Sequence, residues 1–196
     1  MLGLLLHEGM HLIQTSKGIH KTLARAQRNV LQLQKPRFMK LKYPQKQIKE
    51  LLEEVGATTT LLLKDLFANT ALIQENHAEY LIEYYTEELQ GKRVCPRPIF
   101  YEKFKKAAQK NLKIIGVAFA FEFSLLSVIL PFERLKEKKT EVLKKVIERC
   151  YEINIQEIAR KCHELVGLYL MGYAPTQKFQ EMFYDAIYDK VYTLLS

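Results

Sequence analysis

Apolar residues recur every three or four positions along most of the chain, which is the spacing of an amphipathic helix. Strict two-residue alternation is missing nearly everywhere, so a large sheet is not expected. The pattern therefore predicts an all-α protein, mainly helical, with at most a minor β element. The predicted helices span residues 2–16, 19–34, 45–55, 58–90, 99–111, 113–130, 132–149, 152–171 and 176–194.

Glycine and proline set the predicted ends of the first four helices. Gly18 predicts a break or kink after the first helix, and Pro36 ends the second because it cannot continue a helix. Gly56 is the expected C-terminal stop of the third helix. Gly91 ends the fourth helix and opens the clearest loop of the sequence, residues 91–98.

The length of 196 residues and an apolar content of 48% suit one domain with a sizeable core. We expect residues 1–90 and residues 91–196, a helical C-terminal region, to pack on this same core. The apolar run from Ile114 to Pro131 has the minimum length of a membrane span. Glu122 interrupts its centre, which favours a buried core helix. No secretory leader precedes the first histidine, so we expect a cytoplasmic protein without membrane association.

Basic residues are concentrated in one part of the chain. Between Glu8 and Glu50 there are ten lysines and arginines and no acidic residue, and the whole chain has a net charge of +8. Four of the ten share one side of a helix, here called the basic face: Lys17, Lys21, Arg25 and Arg28. This face, within the basic segment 17–49, suits an anionic partner. A signature of a DNA- or RNA-binding fold is missing from the sequence.

The first predicted helix contains the motif His7-Glu8-Gly9-Met10-His11. Residues four apart lie one above the other on a helix, so both imidazoles project from one face and can hold one cation. Zinc is the expected ion for two imidazoles and a carboxylate with one open position. Glu8 would then be the general base that activates a water molecule.

A catalytic zinc site needs a third protein ligand. The predicted helix 58–90 carries Glu75 and Glu79 four residues apart on one face. One of these carboxylates is suited to binding the metal and the other to orienting a ligand histidine. His77 is an alternative metal ligand, because imidazole also suits zinc.

These two motifs resemble those of zincin metallopeptidases of the gluzincin type, most closely the Ste24/HtpX-like peptidases. In that family a Glu-x-x-x-Asp motif follows the His-Glu-x-x-His motif by several tens of residues. Here Glu75-x-x-Ala78-Glu79 stands 64 residues after His11, with Glu in place of Asp. The resemblance covers about the first 90 residues. It implies a zinc-dependent peptidase with His7, His11 and Glu75 as zinc ligands and Glu8 as catalytic base, while Glu79 supports the histidines.

The chain departs from this family in two respects. Such peptidases have a strand before the motif helix that binds substrate by β-addition, whereas this chain begins six residues before His7. Three arrangements stay open: a later segment supplies the strand, the strand is absent, or the sequence is an N-terminally shortened form of a longer protein. The residue that stabilises the oxyanion is also open, and its candidates are Tyr80, Tyr84, Tyr85 and His163.

Two other functional classes compete with a peptidase that acts on a peptide or protein substrate. One is a non-catalytic helical module that uses the basic segment 17–49 to bind an anionic partner. The other is a non-peptidase helical metalloprotein, because Glu8-x-x-His11 is also the spacing found in di-iron bundles. A second Glu-x-x-His pair is missing from the sequence, which disfavours the paired-metal arrangement.

Overall fold

The computed structural model describes residues 2–90, 112–137, 139–151 and 154–196. These residues contain no strand, and the predicted all-α class is confirmed. The predicted loop 91–98 and helix 99–111 lie outside the described residues. The described helices are α1 (Leu2–Ser16), α2 (Ile19–Phe38), α3 (Gln45–Gln74), α4 (Ala78–Gln90), α5 (Leu112–Arg134), α6 (Thr140–Tyr151), α7 (Ile155–Lys161), α8 (His163–Gly172) and α9 (Gln177–Leu195).

Helix α3 is the centre of the architecture. Helices α1 and α2 both run antiparallel to α3. Helix α1 lies beside the C-terminal half of α3, and α2 lies beside the N-terminal half. Helix α5 packs along α3, and α9 packs mainly against α2. Helix α4 covers α1 from another side and also contacts α6. The motif helix α1 is therefore held between α3 and α4.

The core is one cluster of buried apolar side chains to which both parts of the chain contribute. Several of its largest members are tyrosines, and each buried hydroxyl has a partner on α3, as such groups require. The Tyr184 hydroxyl hydrogen-bonds the Thr60 hydroxyl at 2.6 Å. Tyr188 donates to the carbonyl oxygen of Leu52 at 3.1 Å. These bonds tie α9 to the central helix.

The helix ends predicted at Pro36 and Gly56 are wrong, while the break expected at Gly18 is present with a left-handed φ of 73°. Pro36 lies inside α2, which continues to Phe38. Phe38 is fully buried and stacks edge-on against Tyr188, so core packing outweighs the backbone hydrogen bond that proline removes.

Gly56 is likewise inside a helix, because α3 runs without interruption through the expected stop. A Cβ atom at this position would lie 2.1 Å from the side-chain nitrogen Nε2 of Gln27 and 2.8 Å from the Tyr188 hydroxyl. The glycine therefore serves close packing of α2 and α9 on α3. The predicted helix 58–90 is instead divided after Gln74, where Asn76 adopts a positive φ of 66°.

The later helices also differ from the predicted spans. The apolar run around Pro131 belongs to α5, which ends at Arg134, and the predicted helix 152–171 is split into α7 and α8 at Cys162. The side chain of Glu122 lies outside the described part of α5. Among the described residues, no helix has both the length and the apolarity that crossing a bilayer requires.

Candidate metal centre

Close packing of α1 brings the motif histidines to α3. The side of α1 that faces the core carries Gly3, His7, Met10 and Gln14. A Cβ atom on Gly3 would lie 2.1 Å from the carbonyl oxygen of Tyr80 and 2.7 Å from the Cβ of Tyr84. Only glycine permits this approach to α4, and it sets the depth at which His7 enters the core.

His7, His11 and Asp65 place one ligand atom each around a common point. The two Nε2 atoms are 3.0 Å apart. Oδ1 of Asp65 lies 3.2 Å from Nε2 of His11 and 3.6 Å from Nε2 of His7. Ligands around a tetrahedral zinc at 2.0–2.2 Å are roughly 3.3 Å from one another. The three separations agree with that value, so the cluster has the dimensions of a zinc site.

Asn69 orients His7 from the core side. The side-chain amide of Asn69, which is 1% exposed, donates from Nδ2 to the Tyr85 hydroxyl at 2.8 Å. This bond leaves Oδ1 of Asn69 facing Nδ1 of His7 at 3.0 Å. Since an amide oxygen only accepts, Nδ1 of His7 carries the proton and its Nε2 presents a lone pair.

Gln14 orients His11 in the same way. Its Nε2 donates to the carbonyl oxygen of Lys64 at 3.0 Å, and its Oε1 lies 3.2 Å from Nδ1 of His11. The proton of His11 is therefore also on Nδ1. With both outer nitrogens protonated, the two Nε2 lone pairs point at one another. A cation or an added proton between them relieves that repulsion.

The charges in the cluster reinforce one another. Burial raises the pKa of Asp65, but the hydrogen bonds that His11 and His7 donate from Nε2 when it carries a proton outweigh burial and hold the pKa at about 2. The hydrogen bond to Asp65 raises the pKa of His11, against the opposing effect of burial. Asp65 is thus a carboxylate at all ordinary pH values and is ready to bind a cation.

The cluster is closed on the core side and open on the other. The side chain of His7 is 8% exposed, that of His11 19% and that of Asp65 49%. Glu8 is exposed on the same helix. Burial, and after it the charges of Glu88 and Glu8, raise the pKa of the half-buried Tyr84 hydroxyl. An open coordination position beside a carboxylate is the arrangement of a catalytic rather than a structural zinc site.

The acidic residues expected from the second motif lie elsewhere. Glu75 is the exposed residue at the C-terminal cap of α3, ten positions after Asp65 and therefore about 15 Å further along the helix. Glu79 is exposed on α4 and forms an ion pair with Lys139 at 2.8 Å. Asp65 takes the place expected for Glu75, because it is the acidic residue of α3 that is level with the two histidines.

His77, the alternative ligand, also lies away from the cluster. It occupies the turn between α3 and α4, where its ring is 6.1 Å from that of Tyr80. Its buried Nδ1 has no hydrogen-bond partner within the described structure. A turn of the chain after Gln74 thus separates His77 from the face of α3 that carries Asp65.

The four candidates for stabilising the oxyanion differ in their distance from the cluster. The rings of Tyr84 and Tyr85 lie 6.2 and 6.4 Å from that of His7. Tyr85 hydrogen-bonds Asn69, whereas Tyr84 is half-buried beside His7. Tyr80 is beside His77, and His163 is exposed at the start of α8. Of the two tyrosines near His7, Tyr84 is therefore the one that does not hydrogen-bond Asn69.

Sequence reasoning missed Asp65, Asn69 and Gln14. Asp65 and Asn69 are four residues apart in a mostly apolar part of α3, which places both on one helical face. That spacing was a usable signal, because polar groups on the buried side of a helix need partners. Gln14 is three residues after His11, within reach on the same helix.

No family model, curated protein or solved structure matches the chain.

Proposed function

We propose that the protein is a zinc-dependent metallopeptidase whose metal is held by His7, His11 and Asp65. The observation that carries the proposal is the pair of Nε2 atoms of His7 and His11, which lie 3.0 Å apart beside the Asp65 carboxylate. The fixed Nδ1 protons give each histidine the tautomer that a metal ligand needs. Zinc suits this mixed nitrogen and oxygen set, and Asp65 replaces Glu75 as the third ligand.

The residues at the opening supply the remaining parts of a hydrolytic mechanism. Bound zinc would polarise the substrate carbonyl and make water a better nucleophile. Glu8 takes a proton from the attacking water and passes it to the leaving amine. The Tyr84 hydroxyl, whose raised pKa keeps it neutral, donates a hydrogen bond to the developing oxyanion. A cytoplasmic location and a peptide or protein substrate stay predictions from the sequence.

The metal assignment is tested by the zinc content of purified variants. We expect about one zinc per chain in the wild type and a loss of most of it in His11→Ala and Asp65→Ala. Glu75→Ala is the matched control, because it removes an exposed carboxylate from the same helix and should leave the zinc content unchanged. Zinc loss in Glu75→Ala with retention in Asp65→Ala would overturn the assignment of the third ligand.

The catalytic assignment is tested by Glu8→Gln in an assay of peptide hydrolysis. Zinc should stay bound, while the rate constant for hydrolysis falls by roughly 100-fold or more, because the proton acceptor is gone. Glu79→Gln, an exposed carboxylate in an ion pair with Lys139, provides the control and should retain activity. Equal rates for Glu8→Gln and wild type would exclude Glu8 as the general base.

A further inference from the structure

The outer side of α1 is apolar and open to solvent. It carries four exposed residues, here called the apolar stripe: Leu2, Leu5, Leu12 and Ile13. Leu5 is 63% exposed and Leu12 is 74% exposed. The stripe lies opposite the buried side of the helix, which faces α3 and α4. A run of exposed apolar side chains on a folded protein indicates a contact with another molecule, so the stripe is a candidate interface.

Gly9 is at the middle of the apolar stripe. Leu5 is four residues before it and Ile13 is four residues after it, so all three share one side of the helix. Among the described residues, no atom outside the neighbouring part of α1 lies within 4 Å of a Cβ at position 9. A second helix can therefore approach the backbone of α1 closely at this point, with apolar side chains before and after the contact.

The apolar stripe has nearly the same pattern in both directions from Gly9. Two large apolar residues precede the glycine and two follow it. An isologous dimer brings the same patch of both copies together about a two-fold axis. With this axis at Gly9 and the two helices antiparallel, Leu5 of one copy lies opposite Ile13 of the other. The symmetry of the stripe therefore favours a second copy of this chain as its partner.

Helix α4 runs beside α1 in the same direction and is acidic. A Cβ on Gly3 would lie against Tyr80 and Tyr84. The ring of His7, one turn later in α1, is 6.2 Å from that of Tyr84, so the two helices advance together. Helix α4 contains four glutamates and no lysine or arginine. Glu83 is exposed and forms no ion pair with another described residue.

Lys17 gives the same flank of α1 a positive charge at its other end. Its backbone N–H donates to the carbonyl oxygen of Ile13 at 3.0 Å, so the helical path continues to this exposed residue. Lys17 comes 14 residues after Gly3, which places it about 40° from Gly3 around the helix and on the flank towards α4. A two-fold axis at Gly9 sets each flank against the same flank of the partner with the ends exchanged. Lys17 of one copy is then within reach of Glu83 of the other.

We propose that α1 pairs in the antiparallel direction with α1 of a second copy. The two apolar stripes are buried against each other about a two-fold axis at Gly9, and Lys17 of each copy pairs with Glu83 of the other. Glu8 lies at the edge of the stripe on the flank away from α4, so its carboxylate stays in water and both metal centres open on one side of the dimer. One pair of helices forms a small interface, so the dimer should dissociate on dilution.

The first experiment is sedimentation velocity of the full chain between roughly 1 and 100 µM, the range in which a small interface associates. The wild type should change from monomer to dimer across this range. The test variant carries Leu5→Glu and Leu12→Glu and should stay monomeric, because glutamate in the stripe would be buried without a partner. The control variant carries Leu33→Glu and Leu194→Glu, at leucines exposed on α2 and α9, and should dimerise like the wild type. Circular dichroism checks that each variant folds.

The second experiment reverses the charges of the proposed ion pair. Lys17→Glu alone and Glu83→Lys alone should each raise the dissociation constant of the dimer by roughly threefold to tenfold, because exposed pairs are individually weak and symmetry makes two of them. The two changes together should restore the wild-type dissociation constant. Lys49→Glu, at an exposed position on α3, is the control and should leave the dissociation constant unchanged.

Several results would overturn the proposal. A wild type that stays monomeric at every concentration, or equal losses of dimer in the test and control variants, would remove the stripe as a self-association surface. Failure of the double charge reversal to restore the dimer would exclude the antiparallel register. Monomeric protein that binds phosphatidylcholine vesicles through Leu5 and Leu12 would assign the stripe to a lipid surface. None of these measurements depends on peptide hydrolysis, so the dimer and the metallopeptidase function are tested separately.

Discussion

At the scale of single residues, the amides of Asn69 and Gln14 decide which nitrogen of each histidine is available. Each amide has a second hydrogen-bond partner, the Tyr85 hydroxyl for Asn69 and the Lys64 carbonyl for Gln14. The Lys64 carbonyl only accepts, so it fixes the orientation of the Gln14 amide, and the Tyr85 hydroxyl contacts both Nδ2 and Oδ1 of Asn69 and holds that amide against Nδ1 of His7. The metal-binding tautomer is therefore set before any metal arrives, which lowers the entropic cost of binding.

Replacing Asn69 with Leu should weaken zinc binding and destabilise the fold. The change leaves the His7 Nδ1 proton and the Tyr85 hydroxyl buried without their partner. We expect a 10–100-fold lower zinc affinity and a free energy of unfolding lower by about 1–3 kcal/mol. Competition with a chromogenic chelator and urea denaturation measure the two effects.

Tyr85→Phe is the control for this substitution. It removes the hydroxyl that Asn69 contacts and retains the bond between Asn69 and His7, so its zinc affinity should fall less than that of Asn69→Leu. A zinc affinity of Asn69→Leu within twofold of the wild type would contradict the orienting role of this amide.

The sequence predicted the two histidines because their spacing alone places them on one face of one helix. The sequence could not predict Asp65 as their partner, because that contact depends on the position of α1 along the axis of α3. The position of α1 is set by packing at Gly3, His7 and Asn69 rather than by a sequence motif. Glu75 matches the motif spacing of the zincin peptidases that the sequence resembles, yet spacing along the chain does not measure distance across two packed helices.

At the scale of whole elements, the contact of α1 with α4 depends on Gly3. A larger side chain there meets the backbone carbonyl of Tyr80, which cannot rotate away as a side chain can. The sequence predicted the bounds of α1 correctly, since apolar periodicity sets them. It predicted the stops at Pro36 and Gly56 wrongly, because tertiary packing of Phe38 and of Gln27 overrides local helix propensity.

Gly3→Ala should lower both stability and zinc affinity. A Cβ atom 2.1 Å from the Tyr80 carbonyl oxygen forces α1 away from α4 and moves His7 relative to Asp65. Overpacking of this kind costs about 1–3 kcal/mol of unfolding free energy. The urea midpoint and the chelator competition report the two consequences.

Gly9→Ala is the matched control within the same helix. Among the described residues, no atom outside the neighbouring part of α1 lies within 4 Å of a Cβ at position 9, so the substitution is sterically tolerated there. Alanine favours the helix over glycine by about 1 kcal/mol, and Gly9→Ala should therefore be slightly more stable than the wild type with unchanged zinc affinity. Equal effects of the two substitutions would show that Gly3 does not control the position of α1.

At the scale of the whole molecule, protons and metal compete for the cluster, so its contribution to stability depends on pH. In the metal-free protein, the lowered pKa of Asp65 stabilises the fold above its ordinary value of 3.8, and this stabilisation is lost as pH falls towards about 2. The raised pKa of His11 stabilises the fold below its ordinary value of 6.5, and this contribution is lost as pH rises through the raised pKa. The metal-free cluster therefore contributes most between pH 3.8 and 6.5.

Zinc should reverse this dependence, because the metal needs the Nε2 lone pair that a proton occupies at acidic pH. We expect the increase in melting temperature on zinc addition to be small at pH 5.5 and several degrees larger at pH 7.5. Calorimetry with and without zinc at each pH measures the difference. In His11→Ala the zinc-dependent increase should be nearly absent at both pH values, because one ligand is missing. A zinc-dependent increase in the wild type that is equal at the two pH values would mean that His11 is not a ligand.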